Sequence, residues 1–454
     1  MIEWEKRHIL KVGDAYQALD DLPAAQDERR SWEESNRHKI EPWLSALLQS
    51  EHLSLLLGSG LPTALAAVAG TKPATMVTDD FDIEKPDNAN LKKYAEDFAK
   101  RLGRGKPNLE DQLSAAALAA QGLRVLGEEK RAKKWEEAID KVLLKFAEGI
   151  LSAEQAFHEA VKTYKANPLD APQHILVSFL MSFASRVATR ERLNIFTTNY
   201  DRLIEFGCDL AGLRLLDRFV GQITPKFRSS RLQVDLHYNP PGIRGEPRHL
   251  EGVAYLTKLH GSIDWREDQG GIIRVPLSFG ADKSHPSIPK DPFHSLMIFP
   301  NSAKDFETAG YPYAELFRDF SAAVCRPNSV LITYGYGFGD DHINRVISDM
   351  LTLPSTHLVI ISYGEGGAGP NLRIESFLQK AMRSGQISLL LGPHFGDLKT
   401  LVTSYLPRPA IDLITMRAKE LVERRDRKPE GDQRGEAKGQ ADKIVAPEQD
   451  GLDF

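Results

Sequence analysis

Predominantly apolar runs of five to seven residues punctuate this chain at 53–57, 193–198, 253–259, 329–334, 357–362 and 387–391. Apolar residues at adjacent positions over so short a length are the pattern of a strand covered on both faces. Between the later runs, 341–352, 371–383 and 395–405 carry the spacing of amphipathic helices. Strands alternating with helices predict an α/β fold built on a Rossmann-like parallel sheet. Residues 1–50 are polar and read as an N-terminal helical segment ending in Trp43-Leu-Ser-Ala-Leu-Leu48. Pro62 stands just past a glycine turn, where a first-turn proline suits a helix through Thr63–Val68. A short strand is expected at 75–78.

Residues 90–190 carry helical spacing throughout, notably Leu113–Leu123 and Trp135–Leu151, and read as a helical insertion. Ile175–Val187 is the most apolar part and is expected on the sheet. Residues 224–250, with Pro225, Pro240, Pro241 and Pro247, and residues 267–312, rich in Gly and Pro, read as surface excursions. From 416 the chain holds nine Lys/Arg and ten Asp/Glu with few apolar residues, a composition that predicts a disordered charged tail. The main domain is thus expected over 51–415. No internal repeat is present.

Composition narrows the function classes. Hydrophobic content of 41% and charged content of 27% are those of a soluble globular protein. A net charge of −5 supplies no bulk basic field, so nucleic acid is not an expected direct partner. Two cysteines without a CxxC exclude a four-Cys zinc site and a disulfide framework, so no zinc is expected and a reducing cytoplasm fits. The charged start Met1-Ile-Glu-Trp-Glu-Lys-Arg is not a signal peptide, and no apolar run is long enough to span a membrane.

Four segments carry candidate chemistry. Leu53–Leu57 runs into Gly58-Ser-Gly60, with Thr63 where a full GxGxxG places its third glycine. Strand, glycine turn and helix can hold a diphosphate on unpaired N–H groups, or can be an ordinary tight turn. Asp79, Asp80 and Asp82 follow about 20 residues on, as a ribose-binding acid would, or as a solvated loop. Asn199 closes the run Ile195-Phe-Thr-Thr, at the strand end where ligands gather in open α/β sheets. Its amide can orient a ribose or a water; Asp201 is the better candidate to cap the helix that follows. His260 also ends a strand, and an imidazole there can take a proton from a hydroxyl or a water, although a lone His is more often structural. In Tyr334-Gly-Tyr-Gly-Phe-Gly-Asp340, glycines at 335, 337 and 339 let backbone approach a ligand, while Asp340 or Asp341 caps the next helix.

In this order the segments resemble the sirtuin fold, specifically the sirtuin-like domains of bacterial anti-phage defence. Gly58-Ser-Gly60 is similar to the family's first glycine motif, Thr198-Asn-Tyr-Asp201 to its Thr-Gln-Asn-Ile-Asp motif, and Lys258-Leu-His-Gly-Ser262 to the motif of the catalytic His. Gly335–Asp340 with His342-Ile-Asn344 resembles the late glycine motif, and the likeness spans roughly 52–363. Two departures stand out. The four-Cys zinc module of the protein deacetylases is absent, and Leu61-Pro-Thr-Ala-Leu replaces the usual Gly-Ile-Pro-Asp-Phe-Arg. The resemblance implies NAD as substrate. Asn199 and His260 would be catalytic; Gly58, Ser59, Gly60, Thr198, Asp201, Gly335 and Gly337 would form the binding site. It implies an NAD hydrolase acting in phage defence, a homo-oligomer working with a partner such as a HerA-type ATPase. About 90 residues after the last sirtuin-like strand leave little room for a fused sensor. An NAD-dependent deacylase or ADP-ribosyltransferase, and a non-catalytic NAD-binding scaffold, are the alternatives.

Overall fold

The computed structural model describes residues 2–101, 107–187, 189–230, 235–238, 248–268, 271–298, 311–364, 371–381 and 384–408. The charged stretch from 416 lies outside the described residues. In chain order the first elements are β1 (His8–Val12), β2 (Ala15–Leu19), α1 (Gln26–Leu48), β3 (His52–Leu57) and α2 (Gly60–Ala69). Four helices follow: α3 (Lys85–Arg101), α4 (Leu109–Val125), α5 (Glu129–Thr163) and α6 (Pro172–Ala184). Then come β4 (Leu193–Thr197), α7 (Leu203–Ala211), β5 (Arg214–Leu216), β6 (Phe219–Val220), β7 (Lys226–Phe227), β8 (His237–Tyr238) and β9 (Arg248–His249). The remaining strands are β10 (Val253–Lys258), β11 (Gly261–Asp268), β12 (Gly271–Arg274), β13 (Leu296–Ile298), β14 (Ser329–Tyr334), β15 (His357–Ser362) and β16 (Ile387–Leu391).

Nine strands form one sheet in the order β2-β1-β16-β15-β14-β3-β4-β10-β5. The seven from β16 to β5 are parallel; β1 and β2 add antiparallel at one edge. Strand alternation sends Leu53, Leu55, Leu57, Ile195 and Ile332 into a core with α1, α2, α6 and α7. Leu56, Phe196 and Leu331 face the opposite core, with the helices Tyr313–Val324 and Asp341–Met350. Both faces of the sheet are thus covered, as the apolar runs require.

The sequence expectation of helix through residues 1–50 holds only for Gln26–Leu48. The residues before it are a hairpin, turned by Gly13-Asp14 with Gly13 at φ 56°. Gly-Asp between two short apolar runs is a hairpin signal, and it outweighs the polar composition of the segment. No strand forms at 75–78. The excursion at 267–312 contributes to a second sheet, ordered β13-β11-β12-β7-β6. The insertion packs α3, α4 and α5 into a core of their own around Leu113, Trp135 and Phe146, and that core takes in Tyr200 and Ile263 beside the main sheet.

The chain leaves β3 for β4 on one side and returns to β14 on the other. This reversal of strand order opens a crevice beyond the carboxyl ends of β3 and β14.

Candidate active site

A cavity of about 430 Å³ lies at that reversal point, within the range of small-molecule sites. Gly58 and Ser59 reach it from the end of β3, Thr198, Asn199 and Asp201 from β4, His260 from β10, and Tyr336 and Gly337 from β14. Four segments scattered between Gly58 and Gly337 therefore share one wall.

Asn199 is buried. Its Nδ2 donates to the Gly58 carbonyl at 2.9 Å, and its backbone N–H donates to Thr197 Oγ1 at 3.0 Å. The side chain ties the β4 turn to the β3 turn, and its Oδ1 takes no hydrogen bond from the described residues. Asp201 Oδ1 accepts the Leu203 N–H at 3.1 Å; it stands one residue ahead of the N-cap position, which is Arg202, so it braces the turn before α7 rather than capping the helix as expected. Burial raises its carboxyl above the usual range, against the opposing charge of Lys258. Lys258 is itself buried; its ammonium donates to the Asp201 carbonyl and to Glu205 Oε1 at 3.0 Å. The cation on β10 thereby holds the backbone of the turn that presents Asn199.

His260 sits between two carboxylates. Its Nε2 is 2.9 Å from Asp340 Oδ2, and its Nδ1 is 3.7 Å from Glu110 Oε1. Asp340 uses its other oxygen to accept the N–H groups of His342 at 3.0 Å and Ile343 at 3.4 Å, capping the helix Asp341–Met350. One carboxylate thus fixes a helix start and the His260 imidazole together. Glu110 comes from the helical insertion. A capping box at Asn108 and Asp111, with both bonds at 3.0 Å, sets the first turn of α4 and presents Glu110 to the cavity. Tyr200 packs on His260 with ring centroids 6.2 Å apart, and burial drives its hydroxyl well above the ordinary range, with Glu110 adding to the shift.

The glycine motifs act differently from the sequence expectation. A Cβ on Gly60 would stand 2.4 Å from Gly335 Cα, and one on Gly58 2.4 Å from the Gly335 carbonyl oxygen. Gly335, at φ 60°, meets Gly60 equally closely. These three glycines are required because two backbone turns touch across the crevice. Gly60 and Gly335 do not line the cavity. The Gly60 N–H is spent on Gly335 O at 2.9 Å and the Gly58 N–H on Tyr334 O at 3.1 Å. Of the Gly58-Ser-Gly60 turn, only the Ser59 N–H has no acceptor among the described residues. Asp79, Asp80 and Asp82 pair with Lys145, Lys92 and Lys141 of the insertion, the solvated-loop outcome.

The insertion forms the facing wall with Phe98, Glu110, Phe146, Ile150 and Phe157. Positive charge at the cavity comes from Lys72, Arg345 and Arg373. Sequence spacing gave no sign of these residues or of Glu110, because none adjoins a motif strand. Beneath them, buried Glu154 accepts the Arg202 backbone N–H at 2.8 Å and pairs with its guanidinium at 2.5 Å. Arg202 reaches on to the carbonyls of Leu277 and Ser278, which fixes the turn after Asp201 against α5. Both cysteines serve packing: Cys208 lies in the core and burial pushes its thiol up.

No helix among the described residues is long and apolar enough to cross a membrane. No curated protein matches the chain. Residues 193–382, which supply Asn199, His260 and Asp340, match the family model of the SIR2-like domain. That match points to a function involving NAD. The sheet order and the motifs agree with this match, and residues 193–382 of the chain carry a sirtuin-like domain.

Proposed function

We propose that this protein hydrolyses NAD, breaking the bond between nicotinamide and ribose to give nicotinamide and ADP-ribose. The observation that carries the reading is the convergence of Asn199 and His260, from the ends of the adjacent strands β4 and β10, on one cavity with Asp340 holding the imidazole. Nicotinamide leaves as a neutral group and takes the bonding electron pair, so positive charge develops on the ribose. Glu110, Asp201 and Asp340 give the cavity the negative charge that opposes it. Water then adds through its oxygen to C1′ and gives up a proton. His260 is the acceptor in this reading: Asp340 holds the imidazole through Nε2, and Nδ1, beside Glu110, takes the proton of the water. Nδ1 and Glu110 are close enough for one hydroxyl oxygen to bond both. Asn199 Oδ1 and Thr198 orient the ribose and the water. Ser59, Gly58 and Gly337 border the diphosphate, whose charge is met by Lys72, Arg345 and Arg373.

The reading extends to a defence role in which the protein depletes NAD during phage infection, as a homo-oligomer with a separate sensing partner such as a HerA-type ATPase. The experiment measures nicotinamide release from NAD by the full chain, alone and with its genomic neighbour, beside Asn199→Ala and His260→Gln. Both variants are expected to lose turnover by about 10²- to 10⁴-fold, the worth of a positioned acid–base group, while NAD binding by calorimetry persists. Turnover unchanged in the variants, or NAD bound but never cleaved under any condition, would overturn the reading.

A further inference from the structure

Away from the cavity, Asp235, His237 and His249 bring three ligand atoms within 4.8 Å of one another. His237 and His249 are cross-strand partners in the β8–β9 ladder, and their ring centroids lie 5.0 Å apart. His249 Nδ1 is buried, has no hydrogen-bond partner among the described residues, and stands 3.4 Å from Asp235 Oδ2 without hydrogen-bond geometry. A buried imidazole nitrogen facing a carboxylate in this way lacks something between them. Tetrahedral ligands about 2.1 Å from a zinc ion stand about 3.4 Å from each other, and His249 Nδ1 and Asp235 Oδ2 have that spacing.

We infer that Asp235, His237 and His249 form a site for a divalent transition-metal ion of the zinc class. The donor set suits that ion: two imidazoles and a carboxylate are borderline ligands, and three of them leave a fourth tetrahedral position for water. The surroundings suit it too. Arg192 donates through Nε to Asp235 Oδ1, the oxygen turned away from His249, and through its two Nη atoms to the carbonyls of Leu250 and Leu236. The guanidinium therefore fixes the carboxylate and both flanks of the ladder, as outer partners of a metal ligand do. Asp235 and His249 also border a cleft of about 360 Å³ with Arg192, Tyr255 and Arg326, which gives an ion a way in. Arg192 immediately precedes β4, so the ion would clasp the excursion between β7 and β10 to the strand that ends at Asn199. The absence of a four-Cys module led to the expectation of no zinc; this site uses no cysteine.

The test loads the full chain, purified without a polyhistidine tag, with zinc sulfate, dialyses it and measures bound metal by mass spectrometry. The expected result is about one zinc per chain for the native protein, and occupancy lowered at least about tenfold in Asp235→Asn and His249→Ala. Cobalt loading should give the intense visible absorption of four-coordinate cobalt in the native chain alone. His237→Ala, at an exposed side chain, provides the same comparison should either variant at the half-buried Asp235 or His249 fail to fold. A native chain that retains no metal, or variants that load as well as it does, would overturn the assignment.

Discussion

Asp340 separates two jobs that one carboxylate performs. One oxygen caps the helix Asp341–Met350; the other binds His260 at 2.9 Å. Asparagine caps a helix about as well as aspartate, so Asp340→Asn keeps the cap and loses only the charge on His260. Alanine loses both. The cap is worth about 1 kcal/mol and the interaction of its charge with the helix dipole a further 0.3–1 kcal/mol or so. Asp340→Ala should therefore cost about 2 kcal/mol of stability, and Asp340→Asn roughly 0.5 kcal/mol. For a cooperative unit of some 400 residues, 1 kcal/mol moves Tm by only about 1 °C, so urea midpoints are the better readout. Activity should not follow stability. A charge-assisted hydrogen bond of roughly 1.5–3 kcal/mol corresponds to about 10- to 100-fold in rate, lost in both variants alike. Nicotinamide release is the assay. Asp340→Asn with native turnover would refute the claim that this carboxylate holds the imidazole for chemistry. Asp340→Asn as unstable as Asp340→Ala would refute the division of labour.

Two further outcomes follow, one from close packing and one from burial. Gly60→Ala must push two backbones apart and is expected to cost about 1–3 kcal/mol or to abolish soluble expression, whereas Gly149→Ala, inside α5 with open space at its Cβ, should stabilise by roughly 0.5–1 kcal/mol; urea unfolding of the pair checks both. Burial holds His357 and His394 neutral, each pushed down to about 4, so the unfolded chain binds more protons between that value and the ordinary histidine range. Stability is then fully present above pH 6.5 and falls as pH drops towards 4, by at most about 1.4 kcal/mol per pH unit for each histidine. Urea midpoints at pH 7 and pH 5 measure this, and a His394→Gln variant with an unchanged slope would rule out that residue as a contributor.

Much of the parallel sheet was legible in the chain because a strand buried on both faces is apolar at adjacent positions rather than at alternate ones. The runs at 53–57, 193–198, 253–259, 329–334, 357–362 and 387–391 fall on β3, β4, β10, β14, β15 and β16. Asn199 and His260 were legible for a related reason: a polar residue closing such a run is carried to the carboxyl edge of the sheet, where the crevice lies. The β1–β2 hairpin was less visible, although Gly13-Asp14 marks its turn, because polar residues around it resemble a solvated helix. The second sheet was obscured by short, irregular strands among Gly and Pro.

What only the tertiary structure decided is how distant residues meet. Spacing along a sequence reports one element at a time, and Glu110 reaches His260 across 150 positions because the core of the insertion packs around Tyr200 and Ile263. The same holds for Asp340 on His260 and for Lys258 on the Asp201 carbonyl, 80 and 57 positions apart. The glycines show the difference most plainly. Their presence at 58, 60 and 335 was plain in the sequence and read as room for a ligand; the fold makes them necessary because two turns touch there, backbone against backbone. Local pattern determined which residues stand at the ends of the strands. Long-range packing determined which of them touch, and so which can share a proton or hold a charge.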